Sequence, residues 1–239
     1  MCSDKPKVIA LLLAGGCGLR MHSSRPKQFI EVHDESILLH TMRAFERHPL
    51  VDGIYVVCAP EWSGYVQKQA AIGHVDKFRR TLTSGATSHA SLLNGIEGLR
   101  AEGTDGEAIV MVHDGVRPFV SHETITDNIQ TCREKGNAVT ATFSHESYIC
   151  TDDGKEARGY VPRERLMRAQ TPITFRMKDL EEIVRLARSK GIAESQSLFT
   201  LVNEIDRRPL HIVEGNILNF KITVPLELEM YSRLHMLQS

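Results

Sequence analysis

The sequence predicts an α/β protein with a mostly parallel sheet, helices on both faces of that sheet and a protruding hairpin arm. Short β-branched runs alternate along the chain with segments in which apolar residues recur at helical spacing. The composition agrees, because 41% hydrophobic and 25% charged residues are typical of globular proteins. With 239 residues and no Pro/Gly/Ser-rich linker, residues 1–239 are expected to form a single domain.

The individual elements follow from these periodicities in chain order. Four β-branched runs predict strands, namely Val8 to Leu13, Gly53 to Cys58, Ala108 to Val112 and Ala138 to Phe143. Apolar stripes at helical spacing predict helices at Ile37 to Arg47, Ser91 to Leu99, Thr124 to Arg133, Asp179 to Arg188 and Leu226 to Leu237. Because strands and helices alternate, most strands are expected to run parallel to one another.

One polar stretch, Ser144 to Arg163, interrupts this alternation. It contains the turn signal Asp152-Asp153-Gly154-Lys155. A stretch of this length is expected either to form a hairpin arm that serves oligomerisation or to be a disordered loop. The first alternative predicts a homodimer that forms through residues 144–163.

Composition and charge exclude several classes of protein. The 29 basic and 30 acidic residues nearly balance, which argues against a protein that coats nucleic acid. The longest apolar run, Val8 to Ala14, is far shorter than the roughly 20 residues that span a bilayer. No secretory signal pattern precedes it, and the five cysteines form no CxxC pair, so a cytoplasmic protein with reduced thiols is expected.

The first candidate site follows the first predicted strand, where Gly15, Gly16 and Gly18 stand close together. In an open parallel sheet, small residues at a strand's carboxyl end let backbone N–H groups approach a phosphate or a base. A tight turn without any ligand would have the same glycines, and no Gly-Lys-Ser/Thr follows to make a Walker A loop. The cations Arg20 and Lys27 beyond the turn favour a site for a triphosphate.

The second candidate site is Asp114, at the end of the strand that begins near Ala108. A carboxylate in this position can hold Mg²⁺ or a substrate hydroxyl, or it can be a turn residue that pairs with Arg117. The adjacent His113 either tunes Asp114 or is buried and hydrogen-bonded. Lys221 lies between Phe220 and Ile222 in a predicted strand, whose alternation directs the lysine toward the crevice.

Five short motifs together resemble the sugar-alcohol-phosphate cytidylyltransferases over nearly the whole chain. They are Ala14-Gly15-Gly16-x-Gly18-x-Arg20-Met21, Pro26-Lys27-Gln28-Phe29, His113-Asp114-x-x-Arg117-Pro118-Phe119, Ala169-Gln170-Thr171-Pro172 and Asn219-x-Lys221-Ile222-Thr223. This family includes cytidylyltransferases for 2-C-methyl-D-erythritol 4-phosphate and for D-ribitol 5-phosphate. The resemblance implies a Rossmann-like nucleotidyltransferase fold and transfer of a cytidylyl group from CTP, with Mg²⁺, to a polyol phosphate.

The resemblance also implies roles for individual residues. Arg20 and Lys27 correspond to catalytic residues that hold the triphosphate and stabilise charge at the α-phosphorus. The residues implied in CTP binding are Ala14, Gly15, Gly16, Gly18, Gly85, Ala86 and Ser91. The residues implied in binding the polyol phosphate are Asp114, Arg163, Thr171 and Lys221, with Arg163 reaching across a dimer interface. Mg²⁺ would lie on Asp114 or be held by the CTP phosphates.

Three positions depart from the pattern of the family. Ser88 stands where relatives commonly have an arginine, Ser197 to Phe199 lacks the usual carboxylates, and Pro162 precedes Arg163 where the erythritol enzymes often have Asp. An altered acceptor pocket, a shifted loop or a catalytically inactive nucleotide-binding relative would each explain such departures. The erythritol phosphate is the expected acceptor because that activity is the more widespread, and ribitol phosphate is the alternative. A glycosyltransferase would need an Asp-x-Asp motif, which the sequence lacks.

Overall fold

The computed structural model describes residues 5–16, 21, 25–205 and 208–238. Within these residues the strands are β1 (Val8–Leu13), β2 (Glu31–Val32), β3 (Glu35–Ser36), β4 (Gly53–Cys58), β5 (Phe78–Thr83), β6 (Ile109–Asp114), β7 (Asn137–Phe143), β8 (Tyr148–Cys150), β9 (Gly159–Val161), β10 (Met167–Arg176) and β11 (Ile212–Glu214). The helices are α1 (Ile37–Glu46), α2 (Ser63–Ile72), α3 (Ser88–Ala101), α4 (His122–Lys135), α5 (Met177–Ser189), α6 (Leu198–Ile205) and α7 (Pro225–Gln238). All predicted strands and helices, apart from the strand around Lys221, are confirmed to within three residues at each end.

The centre of the molecule is a sheet with the strand order β11-β7-β10-β6-β1-β4-β5. Every neighbouring pair is parallel except the two pairs that β10 makes with β6 and β7. The prediction of a mostly parallel sheet is therefore confirmed, and the antiparallel strand β10 is an addition to it. Pro172 lies inside β10, and a proline within an apolar run weakens the sequence signal for a strand.

Alternate residues of β1 enter two separate cores, one on each face of the sheet. Val8, Ala10 and Leu12 pack with helices α1, α2 and α4, whereas Ile9 and Leu11 pack with α3, α5 and α6. This division follows from the period of two along a strand, because successive side chains point to opposite faces. Burial on both faces also explains the continuous apolar run of β1, and it confirms the expected helix layers.

The path of the chain creates a crevice beside β1. From β1 the chain continues through β4 to β5 on one side and then returns to β6 on the other side of β1. Ligands bind in open α/β sheets at the carboxyl ends of strands where the strand order reverses in this way. The register pairs Leu13 at the end of β1 with Asp114 at the end of β6, so the two predicted site segments begin side by side.

The stretch from 144 to 163 contains a hairpin, which confirms the predicted shape of the arm, whereas its role in oligomerisation stays a prediction. Strands β8 and β9 pair antiparallel, with Tyr148 opposite Val161 and Cys150 opposite Gly159. In the turn, the Asp153 carboxylate accepts hydrogen bonds from the backbone N–H groups of Lys155 and Glu156, at 2.9 and 3.2 Å. Across the described ranges, none of the helices combines the length and the apolarity that crossing a bilayer requires.

Candidate active site

The turn after β1, residues 14–16, is held at both ends and is called the glycine turn below. The backbone N–H of Ala14 donates to the carbonyl of Val57 at 2.8 Å. From the other side, the buried amide of Gln28 donates to the carbonyls of Ala14 and Gly16, at 2.6 and 2.9 Å. Gln28 belongs to the motif that contains Lys27, and this contact gives the motif a structural role that the sequence did not reveal.

Gly15 lies so close to the loop after β5 that a side chain at this position would clash with it. A Cβ atom on Gly15 would lie 2.6 Å from Cβ of Ser84 and 3.0 Å from Oγ of Ser91. Real Cβ atoms essentially never approach other atoms within 3.0 Å, so any larger residue would displace this loop. The close approach brings the glycine turn against Ser91, as expected for two parts of one nucleotide pocket.

The loop after β5 is closed by Ser91, whose hydroxyl binds Gly85 twice. It accepts from the Gly85 N–H at 3.0 Å and donates to the Gly85 carbonyl at 3.3 Å. A Cβ on Gly85 would lie 2.4 Å from Cβ of Ala90, so this position also excludes a side chain. Ala86 follows on the surface. The structure thus brings most of the expected CTP residues together, while Gly18 and Arg20 fall outside the described residues.

Two cations bracket Asp114 at the end of β6. Arg117 donates from Nε to one carboxylate oxygen at 2.7 Å, and Lys221 donates from Nζ to the other at 3.0 Å. Although burial opposes ionisation, these two cations hold the pKa of Asp114 below its usual range. The pairing with Arg117 that the sequence left open is therefore present, and Lys221 shares it.

His113 links β6 to β10 through Thr171. The ring of His113 is fully buried (0% exposed), with Nε2 3.1 Å from the carbonyl of Arg117 and Nδ1 3.0 Å from the Thr171 hydroxyl. Burial lowers the pKa of His113 to about 4. The expectation that His113 is buried and hydrogen-bonded is confirmed. Thr171 lies two residues before Ile173, which is opposite Val112 in the antiparallel pairing of β10 with β6.

The strand predicted around Lys221 is wrong, although its side chain does face the crevice. Residues 215–224 contain no strand and connect β11 to α7. The backbone N–H of Ile222 donates to the carbonyl of Val116 at 3.0 Å, and the Ile222 side chain is fully buried against α7. Burial of Ile222 positions Lys221, so the apolar neighbour that suggested a strand anchors a loop instead.

Lys27 is tied to the same loop. Its ammonium group donates to the carbonyl of Ile222 at 2.8 Å, across 195 positions of sequence. The buried side-chain amide of Asn219 donates to the backbone carbonyl of Thr171 at 2.8 Å. The backbone carbonyl of Asn219 accepts from the guanidinium group of Arg117, also at 2.8 Å. Together with the bonds of Asp114 and His113 described above, they complete what is called the acceptor network below, which consists of His113, Asp114, Arg117, Thr171 and Lys221. They also place Lys27 beside this network.

Arg163 is not part of the acceptor network within one subunit. It follows β9 in a single 3₁₀ turn and is exposed. Among the residues that the structure describes, none forms a hydrogen bond or an ion pair with its guanidinium group. Arg163 would therefore have to contact the acceptor in the site of another subunit, as the resemblance to the family implied.

Two of the three departures from the family pattern lie at helix starts, and the third, Pro162, directly precedes the 3₁₀ turn that contains Arg163. Ser88 is the first residue of α3, and Ser197 precedes α6, where its hydroxyl accepts from the backbone N–H of Thr200 at 3.1 Å. The apolar side of α6 is buried in the core. The segment that lacks the usual carboxylates is therefore the capped beginning of α6, a helix that the sequence did not predict.

The donor set of the site does not fit a resident magnesium ion. In the part of the chain that the structure describes, no three His, Cys, Asp or Glu residues cluster as a metal would require. Both oxygens of Asp114 already contact cations, and Mg²⁺ prefers oxygen ligands that are not paired in this way.

Comparison with known proteins identifies the family. The family described as IspD, 2-C-methyl-D-erythritol 4-phosphate cytidylyltransferase, matches residues 8–233. The chain belongs to the IspD family. As a member it is a CTP-dependent cytidylyltransferase, so the enzyme class and the resemblance noted on the five motifs are confirmed.

Relatives within the IspD family have two different names. A ribitol-5-phosphate cytidylyltransferase of Streptococcus agalactiae serotype Ia is 36% identical over 228 residues, which cover 95% of each chain. A 2-C-methyl-D-erythritol 4-phosphate cytidylyltransferase of Porphyromonas gingivalis is also 36% identical over 228 residues, covering 95% of this chain and 96% of that one. The crystal structure of a 2-C-methyl-D-erythritol 4-phosphate cytidylyltransferase from Thermus thermophilus superposes with a TM-score of 0.74 at 26% identity, over 96% of this chain and 99% of that one. This likeness confirms the Rossmann-like fold.

Proposed function

We propose that this IspD-family enzyme transfers the cytidylyl group of CTP to the phosphate of a polyol phosphate, which yields a CDP-alcohol and pyrophosphate. The observation that carries the proposal is the meeting of a glycine turn suited to a nucleotide with a charged network suited to a polyol phosphate. These two parts begin on paired residues, Leu13 and Asp114, of neighbouring parallel strands.

The chemistry that this arrangement supports is positioning and charge stabilisation. The attacking group is a phosphate monoester, which is largely ionised at pH 7, so no strong general base is needed. Repulsion between this anion and the triphosphate opposes the reaction. Lys27 donates to the carbonyl of Ile222, and the neighbouring Lys221 donates to Asp114. Both lysines therefore place positive charge at the junction of the two parts. Arg20 completes this role in the proposal.

Magnesium enters the proposal as a partner of CTP. When bound to the triphosphate oxygens it would neutralise part of their charge. Asp114 is paired with Arg117 and Lys221, which supports phosphate-bound magnesium rather than a protein-held ion. The expected measurement is activity that requires Mg²⁺ and saturates with the concentration of the MgCTP complex, with no metal retained by the purified protein.

Two acceptors each have specific support. The family description and the Porphyromonas relative favour 2-C-methyl-D-erythritol 4-phosphate, the acceptor expected from the sequence. The Streptococcus relative favours D-ribitol 5-phosphate at the same identity. Because the two relatives are equally similar, the rates of turnover with the two acceptors must identify the substrate of this enzyme.

The test is pyrophosphate release with CTP, Mg²⁺ and each acceptor in turn. We expect turnover with one of the two acceptors, none with CTP alone, and a strong preference for CTP over ATP, GTP and UTP. Tight CTP binding without release with any acceptor would overturn the proposal and leave the inactive nucleotide-binding relative.

A homodimer formed through residues 144–163 is part of the proposal. The arm exposes large apolar side chains at Tyr148, Ile149 and Tyr160, of which Tyr160 is 76% exposed, and Phe143 at the adjoining end of β7 is also exposed. Exposed apolar surface of this kind is typical of protein–protein contacts. A second copy of the chain would cover it and would bring Arg163 to the neighbouring acceptor network.

Sedimentation and subunit mixing test the dimer together. The pair Ile149→Asp and Tyr160→Asp should convert a dimer to a monomer, whereas Lys155→Glu in the exposed turn should not. If the site is shared, Arg163→Ala and Asp114→Asn subunits, each impaired alone, should gain activity when mixed. A monomeric unaltered protein, or mixed subunits no more active than the two variants alone, would contradict this arrangement.

A cytoplasmic location also belongs to the proposal. Cys58 and Cys132 are buried and Cys150 is exposed, and all three are free thiols. Reduced cysteines are typical of a reducing compartment. Fractionation of the source cells is expected to recover the activity from the cytoplasm.

A further inference from the structure

The acceptor network contains a chain of hydrogen bonds in which each proton has a single possible position. The carbonyl of Arg117 can only accept, so Nε2 of His113, 3.1 Å away, carries a proton. Burial lowers the pKa of His113 to about 4, so the ring is neutral at pH 7. Its Nδ1 atom therefore has no proton and can only accept.

The hydroxyl of Thr171 is the next member of this chain. It donates its single proton to Nδ1 of His113 at 3.0 Å. The same oxygen accepts from the backbone N–H of Asp114 at 3.1 Å. A hydroxyl oxygen has one proton and two lone pairs. Thr171 thus retains one lone pair and no proton for a ligand, although its side chain remains partly exposed.

The group adjacent to Thr171 has the same polarity. The carboxylate of Asp114 is ionised beside Lys221 and Arg117, and a carboxylate only accepts hydrogen bonds. Thr171 and Asp114 together form an edge that accepts and does not donate. An ionised phosphate is also an acceptor and finds no partner on this edge, whereas a polyol hydroxyl can donate to it. The ammonium group of Lys221 is the donor beside this edge.

We propose that His113 is a positioning residue, which fixes the Thr171 hydroxyl as a hydrogen-bond acceptor, so that Thr171 takes a donating hydroxyl of the acceptor polyol and not its phosphate. The proposal rests on the proposed function and deepens it. It selects acceptors that carry a donating hydroxyl within reach of Thr171 and Asp114. An acceptor with hydrogen in place of that hydroxyl leaves the lone pair of Thr171 without a partner, which costs binding.

The experiment compares D-ribitol 5-phosphate and 2-C-methyl-D-erythritol 4-phosphate with their singly deoxygenated analogues. For the unaltered enzyme, one analogue of the accepted substrate should lose about 10-fold in kcat/KM, mainly through KM, because the bond exists before and during the reaction. In His113→Leu, the Thr171 hydroxyl can rotate and donate, so this penalty should fall to about 2-fold. In His113→Asn, the amide oxygen can still accept from Thr171 and should preserve most of the penalty.

Thermal melting and the KM for CTP identify variants that are misfolded rather than altered in selectivity. A penalty equal in His113→Leu and in the unaltered enzyme, or no penalty for any analogue, would overturn the assignment. If the enzyme turns over an acceptor but the penalty for the deoxygenated analogues does not change in His113→Leu, the role of His113 is refuted and the proposed function stands. If neither acceptor is turned over, the proposed function fails and the assignment fails with it.

Nitrogen-15 NMR of the histidine rings gives a readout that does not depend on activity. In the unaltered protein without ligand, His113 should appear as the neutral tautomer with its proton on Nε2 between pH 6 and 8. A charged ring at pH 7, or a proton on Nδ1, would contradict the hydrogen-bond chain and overturn the proposal even if the enzyme is active.

Discussion

The nucleotide side and the acceptor side of the crevice differ in the groups that form them. On the nucleotide side, the glycine turn and the loop after β5 pack so closely that an added Cβ at Gly15 or Gly85 would clash. On the acceptor side, charged and hydrogen-bonded side chains surround Asp114. Shape therefore governs the first half and charge governs the second. This difference predicts which substitutions affect CTP and which affect the acceptor.

The largest effect is expected where the two halves meet. In the proposed mechanism, Lys27→Ala removes a cation that stabilises the transition state, and turnover should fall at least about 100-fold. Lys68→Ala, an exposed lysine on α2, is the matched control and should keep normal turnover. Steady-state pyrophosphate release measures both variants. Near-normal turnover in Lys27→Ala would refute the role of Lys27.

The next effect tests the charge of the acceptor half. Asp114→Asn leaves Lys221 and Arg117 without their anion and weakens the bonds to acceptor hydroxyls. We expect kcat/KM for the acceptor to fall about 30-fold, within the range for hydrogen bonds to charged groups. The KM for CTP should change little, and Asp152→Asn in the arm serves as the control. An equal rise in both KM values would show that the two halves are not separable.

Acid should weaken the acceptor half through His113. Its pKa is about 4 in the folded protein against 6.5 when unfolded, so the unfolded chain binds the proton first as the pH falls. Stability from this residue is complete above pH 6.5 and is lost toward pH 4, about 2 kcal/mol by pH 5.

Denaturant unfolding at pH 7.5 and pH 5 measures this loss. The difference between the two pH values should be smaller by about 2 kcal/mol in His113→Asn than in the unaltered protein. His145→Asn, on the exposed arm, is the control and should show the unaltered difference. His48, whose pKa burial also lowers to about 4, contributes a residual slope in every variant.

The smallest effect separates two adjacent glycines on the nucleotide side. Gly15→Ala should lower the free energy of unfolding by about 1–2 kcal/mol, because its Cβ would lie 2.6 Å from Ser84. Gly16→Ala should cost less than about 0.5 kcal/mol, since nothing lies within 4 Å of its added Cβ. Adding Ser84→Gly to Gly15→Ala should restore much of the stability. Equal costs at both positions would contradict the close approach.

The parts of the fold that the sequence predicted have strong local signals. Strands β1 and β4 match their predicted bounds because both are apolar runs buried on two sides. Strand β5 was missed because Leu82 is its single buried residue, so it lacks an apolar run. The prediction of a strand around Lys221 was wrong because Ile222 is apolar for another reason. Its side chain is buried against α7, and a polar residue beside a buried apolar one looks like strand alternation in the sequence.

The sequence by itself determined the alternating sheet, the glycine turn, and the residue types that a nucleotide and a phosphate require. Only the tertiary structure decided how these residues meet. Thr171 contacts the backbone of Asp114 across 57 positions and Lys221 contacts its carboxylate across 107. Such contacts depend on the antiparallel insertion of β10 and on a loop anchored by Ile222. The direction of each proton in the network then follows from burial and hydrogen-bond partners, which local periodicity does not encode.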